Sequence, residues 1–513
     1  MHDYTVGLLA ERIANRYGEC PALRYSDSVI SHQTLATLAE RLALYLNEQG
    51  CSKGAVIALA HTKMPLSYAL MLACLRLGLT YVVLDAKSPI TRLARIVQTA
   101  CPRLLFYDDA EDAPAMERLA EETGTQIVFL NEDLLPATSD VWQKELARKT
   151  RLVDGSTLAY IMFTSGSTGL PKGVAVTHQN VLHFISWGQS RFGITSADIF
   201  ANLSPMYFDN SVFDFYVGLF SGASLAPVTR ELLNDPYAMV AHVAKMGATI
   251  WFSVPSLLIY AMTMKALRKD LLPTLRSISF GGEGYPKVEL QKLFAMFGDQ
   301  AQIINVYGPT ECTCICSSYT LSASDFDNVN GLPPLGSLNP NFDGFIEPSD
   351  PDKPGEGELI LAGPNVAAGY YNDPERTQAS FGTLFTKERF GKRFYRTGDL
   401  VREEAGLLYF LGRSDNQIKH MGYRIELEEV ESALMRLEGV SQACVVYVRK
   451  NTSFGKLKGY VAYEGEATSH TLLEQLHTFL PAYMIPSTLI CLPSLPKNAN
   501  GKVDRQALKV MEE

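Results

Sequence analysis

Tyr160-Ile161-Met162-Phe163 is a short apolar stretch that runs without a break into Thr164-Ser165-Gly166-Ser167-Thr168-Gly169-Leu170-Pro171-Lys172-Gly173. Four apolar or aromatic residues that give way to small polar ones predict a buried strand. The ten residues that follow hold four hydroxyls, three glycines and one lysine. Glycines let backbone N–H groups turn toward an anion, hydroxyls add donors and a lysine adds charge, so the loop suits a polyphosphate. A solvated surface turn has the same composition, and the loop alone leaves both readings open. It is not a Walker A loop, because Lys172 is followed by Gly173 and not by Ser or Thr.

Outward from this strand, residues 1–320 alternate helical patterns such as Leu35 to Leu46 with short strands such as Tyr81-Val82-Val83-Leu84. Strands alternating with helices predict an α/β fold of parallel, doubly wound sheets. Over 321–414 the pattern changes to short strands separated by Gly, Pro and Asp, as in Gly357 to Leu361 and Gly406 to Phe410, which predicts a small antiparallel, β-barrel-like unit. After Asp415 the chain begins afresh with a helix, Leu427 to Arg436, and strands at Ala443 to Val448 and Gly459 to Tyr463. The expected division is a large N-terminal core, 1–414, and a small α+β C-terminal domain, 415–513. No internal repeat or low-complexity tract interrupts it.

A chain of 513 residues exceeds what one core organises. Its 47% hydrophobic and 20% charged residues are ordinary for a globular protein, and a formal charge of -9 gives no footprint for nucleic acid or an anionic membrane surface. The N-terminus carries charges at helical spacing and lacks the apolar core and cleavage site of a signal peptide. The most apolar stretch, Met64 to Asp85, is cut by Arg76 and Gly78 and predicts a buried helix and strand, not a membrane span. Nine cysteines without framework spacing suit reduced thiols, and the expected location is the cytoplasm.

Four further strings accompany the glycine-rich loop: Tyr307-Gly308-Pro309-Thr310-Glu311, Tyr395-Arg396-Thr397-Gly398-Asp399, Gly412-Arg413-Ser414-Asp415-Asn416-Gln417-Ile418-Lys419 and Asn500-Gly501-Lys502-Val503-Asp504-Arg505. In this order they resemble the signatures of the adenylate-forming superfamily, which contains acyl-CoA synthetases, luciferases and the adenylation domains of nonribosomal peptide synthetases. The resemblance implies ATP and Mg²⁺ as partners of the site. Thr164, Ser165, Gly166, Ser167, Thr168, Gly169 and Lys172 would cradle the phosphates, with Thr164 and Lys172 also acting in catalysis. Gly282, Glu283 and Tyr307 would hold the nucleotide, Tyr307 by stacking on adenine, while Thr310 would face the α-phosphate. Glu311 would hold Mg²⁺, a hard cation that takes oxygen ligands. Asp399 would accept from the ribose hydroxyls, and Arg413 would lie near ribose and phosphates. Lys502 would bridge the substrate carboxylate and α-phosphate, stabilising transition-state charge. Its place near the C-terminus implies a mobile C-terminal lid, with Asp415 as hinge and Gly422 facing the thiol tunnel.

Cys312, Cys314 and Cys316 alternate, and on a strand they would share one face. No histidine or fourth cysteine accompanies them, so they read as core thiols and not as a metal site.

Phe208-Asp209-Asn210-Ser211-Val212-Phe213 resembles the pocket of amino-acid-activating adenylation domains, where an aspartate pairs with the substrate ammonium. Asp209 fills that position, and a buried carboxylate would be costly opposite an apolar acid. The local alternative is a helix N-cap aspartate. By the same resemblance Asn210, Phe213, Phe252, Ser279, Gly281, Val306, Cys314 and Ile315 surround the side chain. None is charged, which implies a neutral, small to medium amino acid. Phe208 to Gly222 and Gly281-Gly282-Glu283 also resemble D-alanine–carrier-protein ligases, from which the chain departs at Gly281, where those carry a thiol. No carrier signature is present, so the expected acceptor is a phosphopantetheinylated carrier protein in trans. An acyl- or aryl-CoA synthetase is the alternative.

Overall fold

The computed structural model describes residues 4–166, 170–385, 391–449, 455–497 and 503–511. Two large sheets dominate it. The first has seven strands in the order Gly369–Tyr370, Lys172–Thr177, Leu158–Thr164, Thr80–Leu84, Val56–Ala60, Leu104–Tyr107 and Ile127–Phe129. The second has nine, from Ser337–Leu338 through Ser317–Thr320, Gln302–Tyr307, Ser277–Phe280, Ile250–Ser253, Ile199–Asn202, Ser224–Pro227 and Pro21–Arg24 to Val29–Ser31. Inner strands pair in parallel, and antiparallel strands close the edges. Parallel strands need crossover connections, which the intervening helices supply.

The core lies where the two sheets and their helices meet. Tyr81 and Tyr160 of the first sheet stack on each other, and Tyr81 shares a hydroxyl–hydroxyl bond of 2.7 Å with Tyr216. Helix Pro65–Leu77 is buried along nearly its whole length, which accounts for the apolar run from Met64 to Asp85. Pro65 fits the first turn, where no N–H is needed, and Gly78 ends the helix in the left-handed region at φ 69°. At 13 residues the helix is far shorter than a bilayer requires. Among the described residues no helix is long and apolar enough to cross a membrane.

Between 321 and 414 an antiparallel sheet of five strands forms around the long strand Gly391–Glu404. The sequence reading assigned that whole stretch to one β unit. Instead Ser337–Leu338 and Gly369–Tyr370 join the edges of the two large sheets, because their partners there still have free backbone groups. The small C-terminal domain has helix Leu427–Leu434 and a sheet of Val440–Arg449, Gly455–Tyr463 and Thr488–Leu492. A hairpin, Gln417–His420 with Tyr423–Glu426, precedes the helix where the sequence reading saw none.

Candidate active site

The strand Leu158–Thr164 delivers the glycine-rich loop, and Lys172 already belongs to the returning strand Lys172–Thr177. Antiparallel pairing places Thr164 opposite Lys172, so both ends of the loop are fixed. Thr164 Oγ1 is buried and has no hydrogen-bond partner among the described residues, as expected of a donor reserved for a ligand. Ser165 Oγ donates to the carbonyl of Arg424 at 2.7 Å, and the Gly166 N–H donates to Glu429 Oε2 at 3.3 Å. Ser167, Thr168 and Gly169 lie outside the described residues, as does Lys502.

Tyr307 ends its strand and a 3₁₀ turn, Thr310–Cys312, follows. This turn buries Glu311 completely. Its Oε2 accepts from Arg424 Nη1 at 2.8 Å, and its Oε1 accepts from Tyr370 Oη at 2.8 Å and lies 3.4 Å from Lys172 Nζ. Burial alone would push the carboxyl up, but Arg424, Lys172 and the Tyr370 hydroxyl hold it well below the usual carboxylate range. Burial pushes the Lys172 ammonium down to about 8, with Arg424 adding to the effect.

Asp399 is reached from the β unit. Its Oδ2 accepts from Tyr307 Oη at 2.6 Å and its Oδ1 from Arg413 Nη1 at 2.8 Å. Arg413 also binds Asp415 through two nitrogens, linking the expected ribose carboxylate to the expected hinge. Lys419 Nζ lies 5.9 Å from the centre of the Tyr307 ring. Glu283 accepts from the N–H groups of Ser256 and Gly422, and Gly282 takes φ 84° beside it.

A cavity of about 70 Å³ lies between these groups. Asp209, Asn210, Phe252, Gly281, Val306, Cys314 and Ile315 line it, together with Thr310, Lys419, Gly422 and Arg424. Phe213 and Ser279 do not reach it. Phe213 is packed against Phe192, Phe200 and Phe252, and Ser279 is fully buried with its hydroxyl unpartnered among the described residues. Asp209 precedes a helical turn but makes no capping bond, so it is not spent on the backbone. Its Oδ2 accepts from Thr310 Oγ1 at 2.5 Å, and burial raises its carboxyl despite that bond. At Gly281 an added Cβ would lie 2.5 Å from the Val306 carbonyl oxygen, so the strands meet too closely there for a side chain without a shift.

Cys312, Cys314 and Cys316 are not on a strand. Thr313 and Cys314 take φ 57° and 76°, and this left-handed turn replaces the expected alternation. Residues that the sequence reading missed are Tyr370, Lys419, Arg424 and Glu429. Lys419 stands in a quoted string without a role, and Tyr370 carries no local signal.

The AMP-binding enzyme family model matches residues 10–371, and that of the AMP-binding enzyme C-terminal domain matches residues 429–502. The chain belongs to the AMP-binding enzyme family. This AMP-binding enzyme is 34% identical to an L-proline–[L-prolyl-carrier protein] ligase of Pseudomonas fluorescens, over 98% of each chain. It is 30% identical to a D-alanine–D-alanyl carrier protein ligase of Bacillus cytotoxicus, again over 98% of each. Among solved structures it is similar to holo-PA1221, a nonribosomal peptide synthetase protein containing adenylation and carrier domains bound to a vinylsulfonamide inhibitor. That likeness has 26% identity and a TM-score of 0.83, covering 98% of this chain and 84% of the other. It is also similar to the Vibrio cholerae adenylation domain AlmE in complex with glycyl-adenosine-5'-phosphate. There the identity is 25% and the TM-score 0.81, over 99% of this chain and 98% of the other.

Proposed function

We propose that this AMP-binding enzyme activates a neutral, small to medium amino acid with ATP as an aminoacyl-adenylate, releasing pyrophosphate. It then passes the acyl group to the phosphopantetheine thiol of a carrier protein supplied in trans. The observation that carries this reading is Asp209, a buried carboxylate held by one hydroxyl at a cavity whose other acid, Asp399, is already paired with Arg413. Such a group needs a cationic partner to offset its desolvation, and an α-ammonium supplies it. The carrier-protein ligases among the relatives support the same substrate class and acceptor.

The orphaned Thr164 hydroxyl fits a phosphate, and Glu311, a carboxylate held in its ionised form, fits Mg²⁺ when Arg424 is withdrawn from it. Glu311 would hold Mg²⁺, which would offset phosphate charge as adenylate forms. Thr164, Ser165, Gly166 and Lys172 would present donors to the phosphates once Ser165 and Gly166 are released from the small domain, and Thr310, beside Asp209, would face the α-phosphate. Tyr307 would support adenine and Asp399 the ribose. Exchanging the Arg413 bond for ribose hydroxyls leaves Asp399 an acceptor, as an ionised carboxylate requires. Lys502 would act from the C-terminal domain, with the chain dividing at 414/415, Asp415 as hinge and Gly422 at the thiol path. ATP and a holo carrier protein meet in the cytoplasm, where this reading puts the enzyme.

Amino-acid-dependent ATP–pyrophosphate exchange, screened over amino acids of both hands, tests the first step, and thioester formation on holo carrier protein against free CoA tests the second. Exchange with at least one amino acid and preference for the carrier are expected. Exchange with aryl or fatty acids only, or efficient use of free CoA, would instead mean an acyl- or aryl-CoA synthetase.

A further inference from the structure

The contact between the small and large domains carries a charge pattern that the roles above leave unexplained. Arg424 Nη1 sits on Glu311, the carboxylate assigned to the metal. Glu429 Oε2 accepts from the Gly166 N–H, and the Arg424 carbonyl accepts from Ser165 Oγ, so two donors of the phosphate loop are held by acceptors of the small domain. These groups are built in. Glu429 is 3% exposed and is anchored by Arg92 of the large domain, while Glu311 is wholly buried. A cation thus stands on the metal's carboxylate, and a carboxylate stands on the phosphate's donors.

We propose that Arg424 and Glu429 are a surrogate for metal-bound pyrophosphate, so that seating of segment 417–434 and occupation of this site by magnesium pyrophosphate exclude each other. The proposal rests on the reading of Glu311 and the phosphate loop given above. Its physical basis is charge. A metal cation at Glu311 would meet the Arg424 guanidinium, and a phosphate at Gly166 would meet the Glu429 carboxylate, both where water screens little. The contacts to Tyr307 and Asp399 do not involve the surrogate, so an adenylate is not excluded on this account.

The consequence concerns reversal. In pyrophosphorolysis a pyrophosphate oxygen attacks the α-phosphorus of the aminoacyl-adenylate and forms a new P–O–P bond. The bond from the α-phosphorus to the acyl oxygen breaks, and the amino acid leaves as its carboxylate with ATP restored. This attack needs pyrophosphate where Glu429 and Arg424 sit. Once pyrophosphate has left and the small domain has seated, the bound adenylate is protected from it, and Arg424 and Glu429 make activation directional. They act as positioning residues.

Hydrogen exchange read by mass spectrometry on the full chain, with calorimetry alongside, tests this using inorganic pyrophosphate and Mg²⁺ as probe. In the wild type the probe should raise amide exchange across 417–434, and AMP with Mg²⁺ should not. The doubly substituted Arg424→Gln, Glu429→Gln protein should bind the probe at least tenfold more tightly and show faster exchange across 417–434 without it. Binding of the probe to the wild type with no change across 417–434 would overturn the proposal, and this arm needs no variant. Failure of the probe to bind either protein would overturn the phosphate-loop reading, and the proposal with it.

Discussion

A carboxylate as buried as Asp209 persists only if a partner compensates its lost hydration. In the protein Thr310 supplies one hydroxyl, and Lys419 and Arg424 supply positive potential from the small domain. Neither cation forms an ion pair with Asp209 among the described residues, so the amino acid's ammonium should carry the remainder. Asp209→Ala should therefore weaken amino acid binding by about 3 kcal/mol, the scale of stranding a buried charge. The KM for the amino acid in pyrophosphate exchange should rise a hundredfold or more while the KM for ATP changes little. An unchanged amino acid KM would remove Asp209 from the substrate site. Asp209, Tyr307 and Asp399, which line one cavity, and Glu311 beside Thr310 each stand in a short string quoted from the sequence, where the family resemblance singled them out. Tyr370, Arg424 and Glu429 do not. They reach their partners across 59, 113 and 263 residues, and no local pattern encodes such a meeting.

Elements were legible where burial imposes a period and illegible where the site breaks it. Inner strands such as Val56–Ala60 and Leu104–Tyr107 are continuous apolar runs, as suits strands covered on both faces. The hairpin 417–426 has no such run, because its residues face a polar site. Met421 and Gly422, at φ 53° and 83°, make a two-residue turn of the type that hairpins favour, but a methionine there gives no warning. Cys312 to Cys316 depart from a strand because Gly308 approaches the Cys314 backbone so closely that a Cβ would lie 2.2 Å from its carbonyl oxygen. Helix His178–Phe192 shows what one buried contact between elements implies. His178 Nδ1 accepts from the Val6 N–H at 3.1 Å and ties this helix to helix Val6–Tyr17, which fixes the imidazole as neutral with its proton on Nε2. Burial lowers its value from 6.5 to about 4. Between those values the unfolded chain binds the extra proton and the folded chain does not, so stability falls as pH drops from 6.5 toward 4 and is constant with respect to this group outside that window. The full difference is about 3 kcal/mol. Burial also pushes His61 down, to about 3, and it contributes with the same sign. Urea midpoints of wild type and His178→Asn, compared from pH 7 to 4, should show a shallower acid loss in the variant. Parallel curves would mean that His178 is already charged in the folded state.

At the scale of the whole molecule, the two-domain plan was legible because composition changes along the chain, but the arrangement of the domains was not. The small domain places Gly422 against Glu283, Arg424 against Glu311 and Tyr423 edge-on to Phe208, so its hairpin fills the front of the site. Lys502 belongs to the same domain. Lys497 and Val503, which flank it in the sequence, form a bridge, and Arg505 binds Glu431 at 2.7 Å, so the described residues on either side belong to the small domain. If Lys502 acts on the substrate carboxylate and α-phosphate in the first half-reaction and the hairpin faces the site in the second, the domain reorients between them, about a hinge such as Asp415. Lys502→Ala should then slow adenylate formation by about two to three orders of magnitude, the scale of losing one preorganised electrostatic donor. Given preformed aminoacyl-adenylate, the variant should load holo carrier protein at close to the wild-type rate, because the hairpin and not Lys502 would face the site in that step. Single-turnover measurements of each half-reaction separate the two. Equal slowing of both steps would show that one arrangement serves the whole reaction and that Lys502 belongs to it.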